Sequence, residues 1–457
     1  MSPNDAAATM RAEDRDAQAL DACVVALHAA SRAPRGDGEG DRDRRARLLV
    51  ADTLGCLVAG LGAPEVDALA RRMAPGAFRW PGAPVALAPG DAAFVAAVAA
   101  CWHEACEGLA RAHGRPGVAP IAAVLPRIAA AGGTWGDALA AVRFGYEVGG
   151  RLGEAMRIRS GMHVDATWPT LGAAAAAAHA IGLDARGALD AIELAACQVP
   201  ASLYRPIAQG ATGRNTYLGH AARTGLDCAH AVAAGIGAPR GAVADARRVA
   251  LGADTPMPAL ADPSVALLDE GYLKPYAAVR HVHYGARAAA TLRERLDDRL
   301  ARIDAIALSV YAEALVYCGN RAPTTPIQAQ FSLSFGVAAM LATGDLGPDA
   351  YARLDDPLLR ALESRVTLVE DTARTRAGTR GATLRVRVDG GTLEADVDRV
   401  AGDPGAPMAE DAVRAKFVRY AGPGLGADRA ARLFDRLLDA PASTSLDALL
   451  ASGQTAV

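Results

Sequence analysis

Between residues 46 and 252 apolar side chains recur every three or four positions, and Gly or Pro clusters separate one such stretch from the next. That spacing lines one face of a helix. It predicts helices over residues 47–60, 91–110, 120–131, 134–156, 166–181, 185–198 and 214–235, preceded by one over 14–30. The charged, glycine-rich segment 35–45 reads as an exposed connection. Beyond Leu273 the period changes. Residues 302–312 and 365–370 read as strands and 331–342 as a helix. The alternating arms 383–388 and 392–397 flank Asp389, Gly390 and Gly391, turn residues that tolerate positive φ, and so read as a hairpin. Helical spacing returns over 409–420 and 427–451. The expected fold class is mainly α with a second, smaller α+β domain. A helical domain over 1–265 would be completed by 425–457, with the α+β domain over 266–424.

Composition sharpens this picture. The chain of 457 residues is 51% hydrophobic but only 5% aromatic, and alanine, which favours helices and lets them approach closely, is the largest part of the apolar content. Lys+Arg 48 against Asp+Glu 51 leaves a net charge of -3, so no electrostatic footprint for nucleic acid or acidic membranes is present. The longest apolar run, Leu171 to Ile181, is short of the about 20 residues that span a bilayer. The polar N-terminus lacks a signal peptide's apolar core. Seven cysteines without CxxC spacing point to reduced thiols and a cytoplasmic location. Only Lys274 and Lys416 are lysine; every other basic residue is arginine. Each surviving lysine is a candidate for a place where a compact, deprotonatable ammonium is wanted. Lys416 falls on an ordinary helical pattern and is expected in solvent.

Polar groups concentrate in five segments. In Cys101 to Gly117, His103 and Glu107 are four apart and would share a helix face beside Cys106. They read as an acid/base pair, as a helix end with solvated polar groups, or, with Glu104, as half a metal site. In Ser160 to Trp168, His163 precedes a helix start whose amides favour an anion, with Asp165 as the alternative cap. Arg214, flanked by glycines in Gln209 to His220, suits a carboxylate clamp. Tyr272 to His283 loads Lys274, Tyr276, Arg280, His281 and His283 into one short stretch at the domain junction, where ligand clefts form. Gln328 to Ser334 reads as a polar helix start.

In this order these segments resemble the MmgE/PrpD family, whose members include 2-methylcitrate dehydratase, cis-aconitate decarboxylase and iminodisuccinate epimerase. The resemblance rests on residues 51–60, 145–153, 161–168, 213–222, 273–283 and 329–333. It implies a helical domain with contributions from both ends of the chain, an α+β lid, a homodimer, and a site between the domains that uses neither metal nor cofactor. His163 matches the family's histidine after the glycine and Lys274 its lid lysine, while Arg280, His281 and His283 fall in the adjoining basic stretch. Three departures stand out. Arg214 replaces a lysine common in the family, Arg115 replaces the histidine before Pro116, and the acidic cluster after His103 shrinks to Glu104 and Glu107.

The chemistry this inventory suits is removal of a proton α to a carboxylate of a small di- or tricarboxylate. In the expected arrangement His163 is base or acid, and Lys274 holds a carboxylate or donates a proton. Arg214, Arg280, His281, Arg115 and Tyr276 bind the substrate, and His103 with Glu107 faces the departing group. The expected reaction is dehydration, as in 2-methylcitrate dehydratase. Alternatives are epimerisation or isomerisation, decarboxylation, and binding without catalysis on the same fold.

Overall fold

The alanine run becomes the helix Trp168–Ala180, in which every residue from Trp168 to Ala178 is buried. A helix apolar on all sides has to be central, and this one is surrounded by Trp135–Ala155, Tyr217–Ala233, Val118–Ala130 and Ala185–Ala196. The computed structural model describes residues 3–32, 39–199, 201–253, 255 and 257–451. Small residues set the interhelical distance. A Cβ on Gly145 would lie 2.6 Å from the Gly172 carbonyl oxygen, and one on Gly172 2.9 Å from that of Gly145. These two helices therefore pack closer than any larger side chain permits.

The second part is a four-stranded sheet in the order Val366–Glu370, Ile303–Val310, Ala382–Val388, Gly391–Val397. The first pair is parallel and the others antiparallel. The expected hairpin is present, with Asp389 at φ 52° and Gly390 at φ 74° in its turn. Helices Arg280–Leu296 and Leu333–Thr343 pack on each other and on the sheet, whose strands alternate buried and exposed positions as a one-sided sheet should. The protein is thus mainly α with a smaller α+β part.

Three expectations change. The helix predicted over 91–110 ends at Cys101; Glu104 then takes φ 53°, and Gly108–Leu109 pairs with Gly271–Tyr272 instead. The connection predicted over 35–45 lies partly outside the described residues, and from Glu39 onward it is helix. There Arg44 donates to Asp439 at 2.8 Å and Arg45 to the Leu268 carbonyl at 2.6 Å, so charges that read as solvated anchor distant segments. Lys416 is not in solvent: it is buried and donates to Asp52 at 2.5 Å and to the Ala105 carbonyl at 2.8 Å. Its helix, Glu410–Leu425, packs on Glu39–Leu61. The chain is therefore back on the helical layer before residue 425. Among the described residues no single helix is long and apolar enough to cross a membrane.

Candidate functional site

Two short antiparallel pairings bring the singled-out segments together. Gly108 pairs with Tyr272, and a Cβ on Gly108 would sit 2.4 Å from the Tyr272 hydroxyl oxygen, so only glycine lets the loop lie this close. The pairing sets Lys274 beside Glu104. His163 pairs with Ser202, whose hydroxyl donates to the His163 carbonyl at 2.7 Å. Between these pairings lies a cavity of about 400 Å³ with walls from both parts of the chain. Of the expected residues, Arg115, His163, Lys274, Arg280 and His281 line it, together with Glu104, Asp165, Tyr272, Glu313, Arg380 and His113.

One wall is a buried charge network. Glu104 accepts from Lys274 Nζ at 2.7 Å through Oε1, and from Arg214 at 2.6 Å and Arg115 at 3.1 Å through Oε2. Asp165 accepts from Arg115 at 2.8 Å and lies 3.6 Å from Arg214. Desolvation opposes the Glu104 charge, but Arg115, Lys274 and Arg214 together hold its carboxyl well below the usual carboxylate range. Burial pushes the Lys274 ammonium down, with Glu104 opposing. Arg280 pairs with Asp403 and lies over the Tyr272 ring. Of the lining residues, Arg115, Arg157, Lys274, Arg280 and Arg380 are cationic, and Glu104, Asp165 and Glu313 are carboxylates. Counted without its histidines, the wall carries two net positive charges.

Its deeply buried histidines are neutral. Burial pushes His163 down to about 4, and His281, whose Nδ1 lies 2.5 Å from the Tyr311 hydroxyl, down to about 3. His163 Nδ1 accepts the Asp165 backbone N–H at 3.2 Å. In the neutral ring the hydrogen therefore sits on Nε2.

Four expected residues stand elsewhere. His103 and Glu107 share no helix face, because the helix stops at Cys101. Neither lines the cavity. His103 lies beside the Ala59 backbone, and burial pushes its imidazole down. Glu107 points into a smaller cavity beside Tyr146 and accepts the Gly117 N–H at 2.8 Å. Arg214, fully buried, lies behind Glu104 and is taken up by it. Tyr276 packs on His283, outside the cavity wall, and His283 itself is bonded to the Ala278 carbonyl at 2.9 Å. Asp165 caps no helix: Thr167 is the N-cap of Trp168–Ala180, and Asp165 is drawn away by the arginines. Sequence reasoning missed Tyr272, Glu313, Arg380 and His113 as wall residues. His113 lay inside a segment already marked, two positions before Arg115. Glu313 and Arg380 had no local signal, sitting just past one strand and just before another.

Among the described residues no three His, Cys, Asp or Glu side chains are arranged to hold a metal ion. Residues 38–251 match the family model of the MmgE/PrpD N-terminal domain, and residues 276–440 that of the MmgE/PrpD C-terminal domain. No curated protein matches the chain.

Proposed function

Since the chain belongs to the MmgE/PrpD family, we propose that it is a lyase that dehydrates a small 2-hydroxy di- or tricarboxylate, in the manner of 2-methylcitrate dehydratase. The observation that carries this reading is a cavity wall with two net positive charges that also presents a desolvated, neutral imidazole. The charges suit a substrate with two or three carboxylates. A neutral imidazole donating through Nε2–H suits a carboxylate oxygen on which negative charge develops as the neighbouring carbon loses its proton. Lys274 supplies the acid: two of its three donors go to Glu104, and burial makes its ammonium a readier proton donor to the leaving hydroxyl. Arg115 and Arg280 fix the carboxylates. Glu104 keeps the cations in place without cancelling all of their charge.

The test is incubation with 2-methylcitrate, citrate, isocitrate and malate in deuterated water. Dehydration produces an ultraviolet-absorbing alkene. Epimerisation exchanges the α-hydrogen with no other change in mass, and decarboxylation releases carbon dioxide. Thermal stabilisation by one of these acids with no turnover would replace the lyase with a binding protein.

A further inference from the structure

Proton abstraction needs a base, and a His163 that carries its hydrogen on Nε2 leaves that role open. A third histidine lines the same cavity. His113 stands at φ 55°, a left-handed conformation that costs a non-glycine residue about 1 kcal/mol, in a turn closed by the Leu109 N–H donating to the Gly114 carbonyl at 2.8 Å. Such backbone strain concentrates where a side chain must be aimed. His113 Nδ1 lies 3.3 Å from Glu313 Oε1, and its side chain is 40% exposed against 10% for His163. Glu313 opens the helix Ala312–Cys318 of the α+β part, and its second oxygen lies 3.7 Å from Arg380. All three side chains line the cavity, and they come from segments about 200 and 70 residues apart in the chain.

We propose that His113 is the catalytic base of this chain and that Glu313, held by Arg380, is its positioning residue. Glu313 accepts the Nδ1–H, fixes the tautomer and leaves Nε2 unprotonated, as a carboxylate does for any oriented imidazole. The His113 imidazole beside it holds the Glu313 carboxyl down to about 2, so it stays ionised. The charged or titratable groups around His113 are Glu313, Arg380 beyond it, and the neutral His281. The inference rests on the proposed dehydration. His113 Nε2 takes the proton from the carbon α to a carboxylate, and the C–H electron pair moves onto that carboxylate as an enediolate. The pair then forms the C=C bond as the β C–O bond breaks, and the hydroxyl leaves as water with a proton from Lys274. Solvent exchange returns the proton from His113 and restores that of Lys274.

The experiment is solvent deuterium exchange and alkene formation with the same four acids, using the full chain, H113G, H113N and E313Q. Glycine accepts the positive φ and leaves a ring-sized gap; asparagine also tolerates that φ and serves if H113G does not fold. Expected is a loss of about 10²–10⁴-fold in exchange for H113G, with thermal stabilisation by the acid retained and with added imidazole restoring at least about tenfold. E313Q is expected to lose about tenfold or more in kcat/KM and to move the acid limb of the pH profile, which a merely structural contact would leave in place. Exchange by H113G within about threefold of the wild type overturns the assignment of His113 and leaves the dehydration standing. Neither alkene nor exchange from the wild type with any of the four acids overturns both.

Discussion

Glu104 and Glu107 lie three residues apart on one loop, and both are buried, at 2% and 1% exposure, yet they are opposite kinds of acid. Glu104 faces the large cavity and meets Lys274, Arg115 and Arg214, so it stays a carboxylate. Glu107 faces the smaller cavity and meets one backbone amide. Its second oxygen has no partner, and burial raises it to about 8. The two lysines divide the same way. Lys274, beside Arg115 and under heavy desolvation, is pushed down. Lys416, paired with Asp52, is raised in spite of its burial. Charge type and burial are shared, so neither decides what an acid or an amine does here; the number and sign of groups that tertiary packing brings within a few ångströms does.

That contrast is open to direct attack. The largest effect is expected from Glu104→Ala, which strands three buried cations: a loss of about 3–5 kcal/mol, or no folded protein, read by urea unfolding. Lys416→Met leaves Asp52 buried without its partner and is expected to cost about 3 kcal/mol. Lys416→Met with Asp52→Asn recovers more than half of that loss in a double-mutant cycle; no recovery would mean that the pair is not what holds the helix Glu410–Leu425 down. For Glu107 the folded value of about 8 lies above the ordinary 4.5. The native state therefore binds more protons than the unfolded chain in that window, and stability falls as pH rises through it. Glu107→Gln should equal the wild type at pH 4 and gain on it by about 1 kcal/mol per pH unit between the two values. The smallest effect is at His163. Its folded value of about 4 lies below 6.5, so the unfolded chain binds more protons between those values and stability falls as pH drops. His163→Asn should flatten that acid slope by about 1 kcal/mol per pH unit.

Much of the architecture was legible beforehand. Alanine-rich helices and the hairpin announce themselves through local period and turn chemistry, and these survive packing because packing selects the same faces. The loop after Cys101 was not legible as a loop. His103 and Glu107 have helical spacing, but the pairing of Gly108 with Tyr272 competes with the next helical turn and wins. At the site, His163, Lys274, Arg115, Arg280 and His281 could be picked out because polar groups in an apolar or glycine-rich stretch are conspicuous. Arg214 was equally conspicuous, yet it stands behind Glu104. Glu313 and Arg380 were invisible, since an isolated charge next to a strand looks like any solvated residue until the partner across the cavity is known.

The sequence by itself determined the helical layer, the α+β insertion, the near-absence of lysine and the short list of groups able to carry charge or a proton. These are local properties, set by spacing and side-chain chemistry. Only the tertiary structure decided which cations are already committed to carboxylates, which histidine keeps its hydrogen on Nε2, and which carboxyl is ionised. Those outcomes depend on Coulomb and desolvation terms that change steeply over a few ångströms, between residues such as Glu104 and Lys274 that are 170 positions apart in the chain.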